Sequence, residues 1–294
     1  MKTDKPSRTS EGTTAVRARE MRRPAGERIC HDHFAPHFLT LREYPLLGKA
    51  FGWLYEKRCP GLRGGILART RYIDERMTMC LGDGVGQLVI LGAGYDSRAY
   101  RLAAPPADVT VFEVDHPATQ AVKVAKLRKL FDPLPEHVVF VPVDFCTDDL
   151  ADRLAASGYD RTKKTLFIWE GVTYYIPAAA VDSTLAFVAN NSTPGSSIVF
   201  DCFPRSVADG SSTLREARSM HRFLKRHGEP LLFGLDPEEI EPFLRTRGFE
   251  RVEIMSPTAC KQAWFHNVNA TIPISEMFRF VHATHFCGKG GEHG

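Results

Sequence analysis

The chain has 294 residues, 43% of them apolar, enough to bury a substantial single core. A formal net charge of +3 is too small to imply a nucleic-acid partner, and no apolar run approaches the roughly 18 residues a membrane span needs. The seven cysteines (Cys30, Cys59, Cys80, Cys146, Cys202, Cys260 and Cys287) are scattered without a Cys-x-x-Cys pair, which points to reduced thiols in a cytoplasmic protein.

In chain order, residues 1–28 are basic and polar, with Arg17, Arg19, Arg22, Arg23 and Arg28 among Glu11, Glu20 and Glu27. They lack the apolar stretch of a secretory signal and carry too many acids for a transit peptide. The reading is a flexible head with a short helix from about Thr13 to Met21, closed before Pro24. Mixed three- and four-residue apolar spacing predicts a helical cap over 29–82, broken near Pro36, Pro45 and Pro60-Gly61. Within it, His31, His33 and His37 with Asp32 have a spacing that could hold zinc. A lid or packing role is expected, and no metal is assigned.

From residue 83 to about 288, short apolar runs alternate with helical stretches. Strands are predicted at 87–91, 109–113, 138–142, 165–169 and 197–202, with helices at 117–131, 148–157 and 177–191. That alternation predicts a parallel sheet buried on both faces. A basic helix follows at 211–227, within a helical insertion over about 204–235. A further helix at 236–247 opens on Asp236-Pro237 and stops at Gly248. Strands at 250–255 and 277–284 complete the sheet.

The first βα turn, Gly92-Ala93-Gly94-Tyr95-Asp96-Ser97-Arg98, lies where an open α/β sheet binds nucleotides, and its glycines let backbone approach a ligand closely. Asp115 or Glu113, at the end of the next strand, is placed to accept hydrogen bonds from a ribose diol. A dinucleotide site would favour a third glycine where Ser97 stands, and Asp96 would repel a pyrophosphate. No Gly-x-x-x-x-Gly-Lys-Ser/Thr phosphate loop occurs. A ribose-bearing ligand without phosphates, S-adenosyl-L-methionine, fits better.

Several motifs in order carry a resemblance. They are Ala68-Arg69-Thr70-Arg71-Tyr72-Ile73-Asp74, Leu91 to Arg98, Phe112-Glu113-Val114-Asp115-His116-Pro117, Val143-Asp144-Phe145, Trp169-Glu170-Gly171-Val172-Thr173-Tyr174-Tyr175, and Gly228 to Leu235. Across residues 60–255 the chain resembles the leucine carboxyl methyltransferase-like family of class I S-adenosylmethionine-dependent methyltransferases, in its bacterial small-molecule branch. The resemblance implies a Rossmann-like seven-stranded α/β sheet with helices on both faces and an N-terminal helical cap, with Thr9 to Glu20 as a lid helix. It also implies a set of cofactor contacts. Arg69, with Arg71 as second choice, would pair with the cofactor carboxylate, and Gly92 and Gly94 would hold the amino-acid tail. Asp115, or Glu113, would take the ribose; Asp144 and Phe145 the adenine; Glu170 the ammonium or sulfonium edge. Taken singly, these residues have plainer roles: a surface ion pair for Arg69, core for Phe145, a helix cap for Asp144, and a helix-end partner for one of Glu113 and Asp115.

The acceptor is expected over the carboxyl ends of the strands at 165–169 and 197–202. Tyr174 and His221 are the candidate catalytic residues there, with Tyr175, Arg205 and Arg222 as substrate contacts. An arginine would clamp an anion and His221 could deprotonate a hydroxyl, although its basic helix also reads as a solvated face. The expected reaction is methyl transfer to a carboxyl or hydroxyl oxygen of a small molecule. The alternatives are a non-catalytic cofactor-binding protein, a protein C-terminal carboxyl methyltransferase, or an NAD-dependent oxidoreductase. The oligomeric state stays open.

Overall fold

The computed structural model describes residues 8–39, 57–101, 108–144 and 147–285. The expected break at Pro45 and the adenine contact Phe145 lie outside them. Seven strands form one sheet: β1 Gln87–Leu91, β2 Thr110–Asp115, β3 Val138–Pro142, β4 Thr165–Trp169, β5 Ser197–Cys202, β6 Phe249–Met255 and β7 Arg279–His285. Their order is β3-β2-β1-β4-β5-β7-β6. The first five run parallel, while β7 is antiparallel to both β5 and β6. The fold is α/β, as expected.

The sheet is covered on both faces because β1, β4 and β5 are buried at every position. Alternate residues leave opposite faces. Leu88 and Ile90 of β1 join a core with Ile66, Leu67, Tyr72 and Ile73, which belong to helix α3, Leu62–Gly82. Val89 and Leu91 join the other core, with Leu154, Val181, Leu185 and Leu244. Those side chains come from α6 Leu150–Ala156, α7 Ala178–Asn190 and α10 Pro237–Arg245. The edge strand β6 keeps Glu250, Arg251 and Glu253 outside the core, which discourages pairing with another sheet.

The remaining helices among the described residues are α1 Arg8–Glu20, α2 Ala35–Phe38, α4 Arg98–Arg101, α5 Pro117–Leu127, α8 Arg205–Asp209, α9 Arg215–Arg226 and α11 Pro257–Trp264. Two expectations change here. The N-terminal helix starts at Arg8 rather than about Thr13 and is packed rather than flexible: Thr14, Arg17, Ala18 and Glu20 are all buried. The helix expected at 211–227 is α9, which begins four residues later at Arg215, and a separate short helix, α8, precedes it. Gly210, with φ 83°, ends α8.

Candidate active site

The carboxyl ends of β1, β2, β4 and β5 meet at one place, beside the point where strand order reverses between β1 and β4. The chain leaves β1 through Gly92 at φ 71°, where a Cβ would stand 2.6 Å from Val172 Cγ2. Gly92 and Ala93 donate their N–H groups to Val114 O at 2.9 and 3.0 Å, which binds the turn to β2. Asp115 closes β2. Its Oδ2 accepts the Gly94 N–H at 2.5 Å and its Oδ1 the His116 N–H at 2.7 Å. Burial pushes its pKa up, and these two N–H groups oppose the rise.

Glu113 is placed differently. It is buried against Lys123 of α5, with Nζ and Oε2 2.8 Å apart. Burial raises its pKa to about 6 against the pull of Lys123. Asp144 is half-buried, its carboxylate 4.0 Å from His116 Nε2. It does not cap α6, because Asp149 does so by accepting the Asp152 N–H.

Glu170, just after β4, ties two buried arginines together. Its Oε1 accepts from Arg69 Nε at 2.9 Å and its Oε2 from Arg98 Nη1 at 2.5 Å. Burial opposes its ionisation, but Arg98 and Arg69 overcome this and hold its pKa far below the usual carboxylate range. Arg69 Nη1 also donates to Asp201 Oδ2 at 2.7 Å and to the Tyr174 hydroxyl at 3.1 Å. The Tyr174 hydroxyl donates to Asp201 at 3.1 Å, and its ring stacks on Phe203 at 4.1 Å. Burial and the Asp201 carboxylate raise the Tyr174 pKa far above its ordinary value, so this hydroxyl stays protonated. Arg98 completes the array with Asp74 at 2.7 Å and Asp96 at 2.5 Å, and Arg101 bonds Asp74 at 2.7 Å.

Helix α1 roofs this array. Arg17 Nη2 donates to Tyr95 O of the glycine turn at 2.8 Å, and its Nε to Asp32 at 2.8 Å. Asp32 also accepts from Ser97 Oγ at 2.6 Å. The Thr9 hydroxyl bonds Glu229 and reaches Tyr175, so the roof extends beyond the glycine turn to the end of the chain segment that follows β4. Asp32 thus acts as a hub within the segment carrying His31, His33 and His37. Among the described residues no group of three or more His, Cys, Asp or Glu is placed to hold a metal ion.

Residues 10–189 match the family of leucine carboxyl methyltransferases. The chain belongs to that family. Bacillus subtilis (strain 168) YktD, provisionally named an S-adenosyl-L-methionine-dependent methyltransferase, is 34% identical over 217 residues, 74% of this chain and 71% of YktD. A Rhodococcus jostii (strain RHA1) protein, RHA1_ro00605, with the same provisional name is 36% identical over 204 residues, 66% of this chain and 65% of its own length. The crystal structure of a provisionally assigned methyltransferase from Thermobifida fusca YX superposes with a TM-score of 0.60 at 16% identity, over 85% of this chain and 92% of that one. A DUF574 family protein from Streptomyces avermitilis MA-4680 gives 0.59 at 15%, over 85% and 94%. At such identities these two structures speak for the fold alone. The chain is an S-adenosylmethionine-dependent methyltransferase.

The methyltransferase's own residues fit that cofactor. Arg69, Arg98 and Arg101 stand against Asp74, Asp96, Glu170 and Asp201, three cations to four anions, so the array carries one net negative charge. S-adenosylmethionine, with a sulfonium, an ammonium and a carboxylate, carries one net positive charge. Arg69 Nη2 bonds no described residue and can receive a carboxylate.

Other expected residues lie elsewhere. Arg71 pairs with Glu75 at 2.6 Å, one turn along α3. Arg205 is exposed and paired with Glu239 at 2.6 Å, and Arg222 is exposed on α9, so the structure brings neither to the array. His221 sits on the inner side of α9, its ring against Gly210 and its Nδ1 buried without a hydrogen-bond partner. No hydrogen bond or ion pair joins it to Arg69, Tyr174 or Glu170. Sequence reasoning missed Asp201, Arg98 and Arg17. For Asp201 a signal existed: it is an acid near the carboxyl end of the apolar run Ile198-Val199-Phe200, the same placement that marks Asp115.

Proposed function

We propose that this methyltransferase moves a methyl group to an oxygen of a small-molecule acceptor, with a carboxylate as the preferred class. The observation that carries the reading is the Tyr174 hydroxyl, which donates to Asp201 and accepts from Arg69. Held protonated, it cannot take a proton from a phenol or alcohol, whereas a carboxylate is already ionised at neutral pH and needs no base. When bound, the cofactor supplies an activated methyl on a good leaving group, so the protein's work is alignment and exclusion of water. Arg69 Nη2 takes the cofactor's tail carboxylate, Asp115 the ribose hydroxyls, Asp144 the adenine amino group, and Glu170 the ammonium. Helix α1 excludes water from above, and so close a roof suits a small acceptor. A cytoplasmic setting is supported by the free thiols of Cys30, Cys59, Cys80, Cys202 and Cys260. No described helix is long and apolar enough to cross a membrane.

The test offers the enzyme methyl-labelled cofactor with matched panels of carboxylic acids and phenols. The expected product is a methyl ester, which releases labelled methanol in alkali. An alkali-stable ether, formed only on phenols, rejects the carboxylate preference. Cofactor binding without transfer to any member of either panel rejects both of these acceptor classes.

A further inference from the structure

Asp201, the penultimate residue of β5, is a fully buried carboxylate on which three donors converge. Gly171 N–H reaches Oδ1 at 2.6 Å, while Arg69 Nη1 at 2.7 Å and the Tyr174 hydroxyl at 3.1 Å reach Oδ2. Arg69 is therefore gripped at two of its three nitrogens, Nε by Glu170 and Nη1 by Asp201. A guanidinium is planar, so two fixed nitrogens determine where the third points. The two grips are unequal. Glu170 divides its charge between Arg69 and Arg98, whereas Arg69 is the one cation paired with Asp201 among the described residues. Glu170 also follows β4 directly, where the cofactor's ammonium would compete for it.

We propose that Asp201 is a positioning residue for recognition of the cofactor's amino-acid tail, holding Arg69 so that Nη2 meets the tail carboxylate. The inference rests on the proposed pairing of Arg69 with that carboxylate. Asp201 touches neither cofactor nor acceptor; it acts through Arg69. While Glu170 turns to the cofactor's ammonium, Asp201 keeps the guanidinium in place.

Calorimetric titration of S-adenosylhomocysteine and of 5′-methylthioadenosine tests this. The second ligand shares the adenosine and thioether but lacks both charged groups of the tail. The Asp201→Ala enzyme is expected to bind S-adenosylhomocysteine about tenfold more weakly or worse, with less than about a twofold change for methylthioadenosine. Because Asp201 acts through Arg69, the Arg69→Ala/Asp201→Ala double variant should bind S-adenosylhomocysteine no more weakly than Arg69→Ala alone. Equal losses for both ligands, an unchanged affinity for S-adenosylhomocysteine, or single losses that multiply in the double variant would each overturn the proposal. Arg69→Ala weakening both ligands equally would instead reject the pairing on which the proposal rests. Should Asp201→Ala fail to fold, Asp201→Asn decides. It keeps the shape and an acceptor for Gly171 but turns a donor toward Arg69, and the same selective loss is expected.

Discussion

Glu113 and Asp115 are two residues apart on β2 and leave the same face of the strand, yet they have different work. Asp115 spends one lone pair on each of Gly94 N–H and His116 N–H, which leaves others for the proposed ribose contact, while Glu113 is consumed by Lys123. Asp115→Ala is therefore expected to weaken S-adenosylhomocysteine binding by about 1–3 kcal/mol, through lost charge-assisted hydrogen bonds. Glu113→Ala should instead lower folding stability by about 3–5 kcal/mol, because it leaves Lys123 buried and unpaired. Calorimetry and urea unfolding on both variants separate the roles, and a reversed pattern would exchange them. The sequence could not make this distinction, since it depends on Lys123 reaching back from α5 to the strand. The glycine turn and the acid ending β2 were legible because they follow from local spacing. Asp201 joins residues about thirty positions distant, Gly171 and Tyr174, to Arg69 on a different helix. Such convergence emerges only when β4 and β5 lie side by side.

Among the elements, β1, β4 and β5 match their expected bounds because continuous apolar runs with polar flanks leave little choice of register. Helix α11 was missed, although Ser256 capping the Ala259 N–H with Pro257 in the first turn is a readable start. Arg205 and Arg222 lie exposed outside the array, and composition does not reveal how a helix is rotated about its axis. Tertiary packing sets that rotation, and Ala217, Met220 and Leu224 turn inward on α9. Helix α1 is charged and weakly amphipathic, which reads as a flexible head, yet Arg17 is buried by its bonds to Asp32 and to the glycine turn. Arg17→Ala should loosen α1, with faster proteolytic cleavage before Arg28 and a stability loss near the lower end of about 3–5 kcal/mol, since Ser97 still bonds Asp32. An unchanged cleavage rate would mean that the hydroxyl contacts at Thr9 hold the helix instead.

For the whole molecule, the buried carboxylates set opposing pH dependences. Glu170 and Asp32 have folded pKa values below their unfolded ones: burial works against this, but Arg98 and Arg69 outweigh it for Glu170, and Arg17 for Asp32. Their stabilisation is complete above the unfolded values and disappears as pH falls through the depressed folded ones. Glu113 acts in reverse: its folded value of about 6 lies above the unfolded 4.5, so stability is lost as pH rises through that interval. Urea midpoints should therefore fall steeply below about pH 4, and Glu170→Gln should cost stability at neutral pH while flattening that acid fall. Parallel acid curves for wild type and variant would show that Glu170 does not contribute to it. Sheet order adds a constraint of another kind, on the sequence of events during synthesis. Strand β6 bonds only to β7, and β7 is the partner that covers the open side of β5. A ribosome that has made everything through Trp264 thus holds a chain with one bare central edge and one strand without a neighbour. The nascent protein must guard that edge until β7 slides between two strands already made.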